Sequence, residues 1–279
     1  MREHILKYRN CEYPTIDFES MSEIAEYLQN TPNLEKYRLT QRSLLSEEKS
    51  FYGVDNFDDI IDRLKYGDEK MTTLFLDNLQ NCKEDGEENT GIHMDIEGFS
   101  YDMGAVVSGE PECCVSSGYP AVKPHLDIYI DTGYCGGVDP ETIAYRGIAI
   151  YQLISNLLSK GYLLDIWLVH YINTQGKHYC QRVKLSTEYL TISQLAFAGK
   201  CEFFRVVTWL LTAIQINKPS YTGDGKSMPR DEVVEDLKKN GLFIPSGYTD
   251  ERFNHCNKEQ ALEYVTEIYN DYVKGSLCK

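Results

Sequence analysis

The sequence predicts an α/β fold: a mostly parallel sheet with helices on both faces, an antiparallel hairpin at its edge and a small helical N-terminal lead. Three observations point there. In residues 124–131, Leu126, Ile128 and Ile130 alternate with Asp127, Tyr129 and Asp131, the two-residue period of a half-buried strand. Residues 139–161 switch to a helical period, opened by Asp139 as cap with Pro140 and Glu141 in the first turn, and closed at Gly161. Residues 163–172 return to a strand, apolar almost throughout, as a central strand covered on both faces is. Strand and helix go on alternating from there, which favours parallel pairing.

Taken in order, residues 1–50 read as an entry region with one short helix. Ser20 and Glu23 form a capping box, Ile24, Tyr27 and Leu28 share a face, and Thr31-Pro32 stops the run. A second helix is capped by Asn56, carries Phe57, Ile60, Ile61 and Leu64, and closes at Gly67; a partner with Leu74, Phe75 and Leu79 packs on it. The polar, acidic stretch 81–98 reads as a linker, dividing a helical lead at 1–98 from a sheet domain at 99–279. Residues 101–107 open that domain as a strand. The helix over 140–160 presents Ile143, Ile148, Tyr151, Ile154, Leu157 and Leu158. A short loop at 173–177 joins strand 163–172 to strand 178–185, and one-for-one pairing sets Tyr171 by Tyr179 and His170 by Cys180. Two helices follow, one ending at Gly199 and one carrying Phe203, Phe204, Val207, Leu210, Leu211 and Ile214. Beyond loop 217–229 come helix 230–240 closing at Gly241, strand 242–245 and a last helix from Asn257.

Composition narrows the function classes. The net charge is −15, and residues 84–140 place twelve acidic side chains against Lys123 alone. Residues 177–218 run the other way, with Lys177, Arg182, Lys184, Lys200, Arg205 and Lys218 against Glu188 and Glu202. An acidic chain disfavours direct nucleic-acid binding, because phosphate neutralisation drives that affinity. No apolar run is long enough to cross a bilayer, and the charged start lacks a signal-peptide core. The nine cysteines include no C-x-x-C pair, so reduced thiols in a cytoplasmic, non-secreted protein are expected. GDGKS (223–227) lacks the strand and spacing of a phosphate loop and reads as a surface loop. His170 with Cys180 offers two soft ligands, too few for zinc, and Cys113 or Cys135 is more simply a buried apolar side chain than a nucleophile.

Asp131 is the strongest candidate site residue. It ends the first central strand, where open α/β sheets place their sites, beside the hydroxyl of Thr132. A strand ending in aspartate, a glycine-bearing loop (Gly133, Gly136, Gly137), a long helix, a second strand and a hairpin resemble a degenerate von Willebrand factor A-type, Rossmann-like domain. That family's cation motif, Asp-x-Ser-x-Ser, falls on Asp131, Gly133 and Cys135, so only the aspartate is kept. The blocks 50–67, 109–115 (GEPECCV), 138–150 (VDPETIAYRGIAI) and 242–246 (LFIPS) resemble an uncharacterised domain family common in bacteriophage genomes. The resemblance implies a phage or prophage origin and no activity. The leading expectation is therefore a non-enzymatic protein-interaction module acting on a host or phage protein in the host cytoplasm, with no cofactor, no membrane and no direct nucleic-acid contact. The alternatives are a hydrolase using Mg²⁺ or another divalent cation held by Asp131, Thr132 and Ser246, and an acidic nucleic-acid mimic that occupies a host protein.

Overall fold

Alternation in the sequence becomes burial in the sheet. In β6 (His125–Asp131), Leu126, Ile128 and Ile130 are buried on one side. In β7 (Leu163–Thr174), Leu164, Ile166 and Leu168 join that side while Val169 and Tyr171 face the other. The computed structural model describes residues 1–8, 11–37, 57–70, 72–73, 92–95, 100–101, 107, 114–117, 124–134, 137–174, 176–185, 192–218 and 229–277.

The six-stranded sheet runs in the order β1-β2-β8-β7-β6-β9, with β1 at Arg2–Tyr8, β2 at Cys11–Phe18, β8 at Lys177–Leu185 and β9 at Leu242–Ile244. β6 is parallel to both β7 and β9, and β2 is parallel to β8; the β1–β2 and β7–β8 pairs are antiparallel. Three antiparallel strands, β3 (Ile92–Asp95), β5 (Cys114–Ser117) and β4 (Ser100–Tyr101), form a second sheet in that order. Residues 92–95 thus form a strand inside the expected linker; of the strand expected over 101–107, Tyr101 lies in β4 whereas Val107 is helical, which corrects the far end of that expectation. The acidic run 84–88, the helix expected at 74–79, GDGKS, Cys113 and Cys135 lie outside the described residues.

Two further expectations are corrected. Residues 1–50 hold more than a short helix: β1 and β2 form a hairpin that extends the main sheet. Pro14 sits in β2 opposite Ile5 of β1, one residue ahead of the ladder with β8, which starts at Thr15. It is this N-terminal hairpin, not β7–β8, that forms the antiparallel edge; β7 and β8 lie inside the sheet. The second correction is one of register. β7 and β8 close on Thr174 and Lys177, which sets Tyr171 opposite Cys180 and His170 opposite Gln181. A one-residue slip exchanges the faces, so His170 and Cys180 point to opposite sides of the sheet.

Among the described residues, six of seven α-helices pack on one face. There α1 (Met21–Asn30), α2 (Phe57–Tyr66), α3 (Pro140–Ser159), α4 (Ile192–Ala198), α5 (Trp209–Gln215, with a π-helical lead at Phe203–Thr208) and α7 (Lys258–Leu277) build one core with the sheet. Met21, Ile24 and Leu28 of α1 and Ile60, Ile61 and Leu64 of α2 belong to that same core. Among the described residues the other face is covered by α6 (Asp231–Asn240), whose Val233 and Leu237 meet Tyr13, Val169, Tyr171, Cys180 and Phe243. Each buried aliphatic side chain of this kind contributes roughly 1.5–3 kcal/mol.

The helix ends follow the sequence signals. Asp139 accepts the Glu141 N–H at 2.8 Å. Gly161, at φ +81°, closes α3: its N–H donates to Leu158 O and the Tyr162 N–H to Leu157 O. Asn257 and Gln260 form a reciprocal capping box at the start of α7. Because α7 lies over the outer side of α3, Arg146–Ile154 are buried nearly all round, whereas Leu158, expected inside, is exposed. Gly241 ends α6 in extended backbone; a Cβ there would stand 2.4 Å from the Asp127 carbonyl, so close strand approach is what requires glycine.

Candidate functional site

Alongside Val169 within β7, the carboxyl ends of β6 and β9 meet at Asp131. Its side chain is fully buried and accepts three hydrogen bonds: from Ser246 Oγ at 2.7 Å and Thr249 Oγ1 at 2.8 Å, both on Oδ2, and from the Gly133 N–H at 3.0 Å on Oδ1. Gly133 begins the loop after β6, and Ser246 and Thr249 sit in the turn after β9, where the Thr249 and Asp250 N–H groups donate to the Ser246 carbonyl. Burial pushes the Asp131 carboxyl above its ordinary value, against the pull of these three bonds and the Arg146 guanidinium. As built, the carboxylate fastens one strand end to another.

Arg146 reinforces that junction from α3. Buried, it donates through Nη2 to the carbonyls of Asp131 (2.9 Å) and Ile244 (3.2 Å), the last residues of β6 and β9. Its guanidinium lies between two rings, 5.5 Å from the centroid of Tyr134 and 5.4 Å from that of Phe253. A lone arginine on the apolar stripe of Ile143, Ile148 and Tyr151 is visible in the sequence, and it is the signal that sequence reasoning passed over.

Thr132 goes elsewhere. Its N–H donates to Val169 O at 2.9 Å, so the chain is still extended there, and consecutive side chains on extended backbone point to opposite faces. The Thr132 hydroxyl donates to Val169 O at 3.2 Å and lies 3.3 Å from His170 Nδ1. His170 is buried against Phe204, and burial drops its pKa to about 3, leaving a neutral imidazole. Beside Thr132 lies a small pocket of about 30 Å³, lined also by Tyr134, Arg146 and Phe204. Of the three expected cation ligands, the structure brings Asp131 and Ser246 together, adds Thr249 and separates Thr132.

A second titratable group lies at the opposite end of the same strands. His125, Asp127 and Asp165 offer ligand atoms within 4.8 Å of one another. Lys184 Nζ already stands 2.9 Å from Asp165 Oδ1 and holds that carboxyl below its usual range, while burial pushes Asp127 up. The basic stretch 177–218 is spent in the same way. Arg182 forms a two-bond pair with Asp17 (2.7 and 2.6 Å), Lys200 bridges Asp68 and Glu202, and buried Arg205 donates to the Val138 carbonyl.

A cleft of about 510 Å³ runs along β9 near the Asp131 junction. Lys238 and Lys239 of α6 form one rim, Ile268 and Tyr272 of α7 the other, and Phe243 and Pro245 the floor. Thr249 reaches both cleft and junction, linking the surface to the buried carboxylate.

No helix of the structure is long and apolar enough to cross a membrane among the described residues. No curated protein and no solved structure matches the chain. A family model described as a domain of unknown function matches residues 7–272. That span takes in the main sheet from β2 to β9 and the Asp131 junction, and the chain therefore belongs to the uncharacterised domain family DUF7192.

Proposed function

We propose that the chain is a non-enzymatic protein-interaction module, phage- or prophage-encoded and working in the host cytoplasm, which takes an extended segment of a host or phage protein into the cleft along β9. The cleft carries the reading. It runs beside the buried strand β9 between α6 and α7, and clefts between packed elements are where binding sites form. On the α6 side, away from Asp250 and Asp271 of the same lining, the exposed ammonium groups of Lys238 and Lys239 favour a segment bearing carboxylates. The engagement of Arg182, Lys200 and Arg205 within the chain supports a protein partner over a nucleic acid. Origin rests on the blocks 50–67, 109–115, 138–150 and 242–246, and a reducing compartment on the buried, unbridged Cys11, Cys180, Cys201 and Cys256. A degenerate A-type sheet is supported by β6, ending in Asp131 between two parallel neighbours.

Affinity capture from host and phage lysates, with crosslinking to map the contact, tests the reading. The wild-type chain should recover a protein crosslinked at α6 or α7, and Lys238→Glu with Lys239→Glu should lose it while circular dichroism stays unchanged. Recovery indifferent to the double reversal overturns the cleft. Failure to recover any partner, together with turnover of a nucleotide or phosphoester by the purified chain, overturns the interaction module.

One observation favours a second reading, a divalent-cation-dependent hydrolase centred on Asp131: two hydroxyls converge on its carboxylate at the carboxyl edge of the sheet. A cation there lowers the pKa of bound water. Calorimetry with Mg²⁺, Mn²⁺ and Ca²⁺ should then show binding that Asp131→Ala abolishes; absence of heat with all three removes this reading.

A further inference from the structure

β1 is the outer strand of the main sheet, at the edge opposite the β9 cleft, and apart from its charged side chains it lacks the usual protections of an exposed edge. It is seven residues long, contains neither proline nor glycine, and pairs with β2 one for one from Arg2↔Asp17 to Tyr8↔Cys11 without a bulge. Among the described residues no strand pairs with its outer side. Glu3, Ile5 and Lys7 alternate along it and are exposed on one face, with Ile5 at 52%. Beside Ile5 a cleft of about 420 Å³, lined by Pro14, Tyr27, Tyr179 and Ile214, leaves the flank of that side chain open.

We infer that this edge pairs with the same edge of a second copy of the chain, antiparallel about a two-fold axis at Ile5. The occupant follows from the charge pattern of REHILKY. In a self-paired antiparallel strand the partner of each residue is set by the position of the axis. With the axis at Ile5, each Glu3 lies opposite Lys7 of the other copy, Ile5 opposite Ile5, His4 opposite Leu6 and Arg2 opposite Tyr8. Opposite charges meet twice, and the exposed isoleucines cover each other. Moving the register one residue either way destroys this: one shift sets Arg2 opposite Lys7, the other sets His4 opposite Lys7. Two-residue shifts shorten the ladder and leave no pair of opposite charges. Lys7 already stands 3.0 Å from Glu12 on β2, so pairing at Ile5 lines up Glu12, Lys7 and the second copy's glutamate in alternating sign. The contact is isologous, closes at two copies and makes one sheet continuous through both. It does not depend on the cleft along β9 or on what that cleft binds.

Sedimentation equilibrium of the full chain over a concentration series tests the pairing. The wild type should be a dimer. Glu3→Lys and Lys7→Glu should each raise the dimer dissociation constant by about tenfold or more, since each turns two attractive pairs into two repulsive ones. The double charge swap, Glu3→Lys with Lys7→Glu, should restore the dimer. Glu3→Lys leaves the Lys7–Glu12 pair intact, and circular dichroism of every variant should match the wild type. A monomer at all concentrations, another stoichiometry, a dimer insensitive to the single reversals, or a double swap that stays dissociated overturns the inference.

Discussion

Taking the pH from about 7 to about 4.5 should cost the wild-type chain about 2–3 kcal/mol more folding stability than a His170→Gln variant. The reason is the placement of His170, buried between Thr132 and Phe204 with its pKa lowered to about 3 by burial. An unfolded histidine titrates near 6.5. The neutral imidazole therefore contributes stability that is complete above 6.5 and is lost as the pH falls from 6.5 toward 3, because the unfolded chain takes up a proton that the folded chain refuses. Asp131 works in the other direction. Its carboxyl is raised by burial, so its contribution is complete below the unfolded value near 3.8 and is lost as pH rises through the folded one. Both chains carry Asp131, so the difference between them isolates the histidine. Urea midpoints measured for both across this range give the result, and parallel pH profiles would sink the argument.

Arg146→Leu should destabilise the fold by about 3–5 kcal/mol. Leucine suits the apolar stripe of α3 but leaves the carbonyls of Asp131 and Ile244 without the donor that both share. It also removes the positive charge nearest the buried Asp131 carboxyl and the cation held between Tyr134 and Phe253. Arg146→Lys should recover only part of the loss, since one ammonium cannot reproduce the planar fork. Chemical denaturation of the three chains decides it; a loss below about 1 kcal/mol for leucine would mean that other donors satisfy the two carbonyls.

The same junction shows why the site was half legible. Asp131 announces itself as the polar end of an alternating strand, and Ser246 follows a short strand stopped by Pro245, so both were found from order and period. Thr249 carries no such mark; it joins Asp131 because the turn after β9 folds back through the Ser246 carbonyl. Thr132 was grouped with Asp131 because the two are adjacent in sequence. Extended backbone sends adjacent side chains apart, and the β6–β7 ladder stays extended one residue past Asp131.

The amino-acid sequence by itself determined what depends on near neighbours. The caps at Ser20, Asp139 and Asn257, the left-handed stop at Gly161 and the strand–helix–strand order of 125–174 rest on groups a few residues apart, so their signals are local. Tertiary structure alone decided which strands become neighbours. β2 finds β8 across most of the chain, and that pairing turns an entry segment into part of the sheet and moves the β7–β8 hairpin to its interior. It also decided the β7–β8 register, where closure on Thr174 and Lys177 rather than a longer loop settles which face His170 occupies. Period and capping are properties of a segment, whereas pairing and register are settled by the free energy of burying two distant segments against each other.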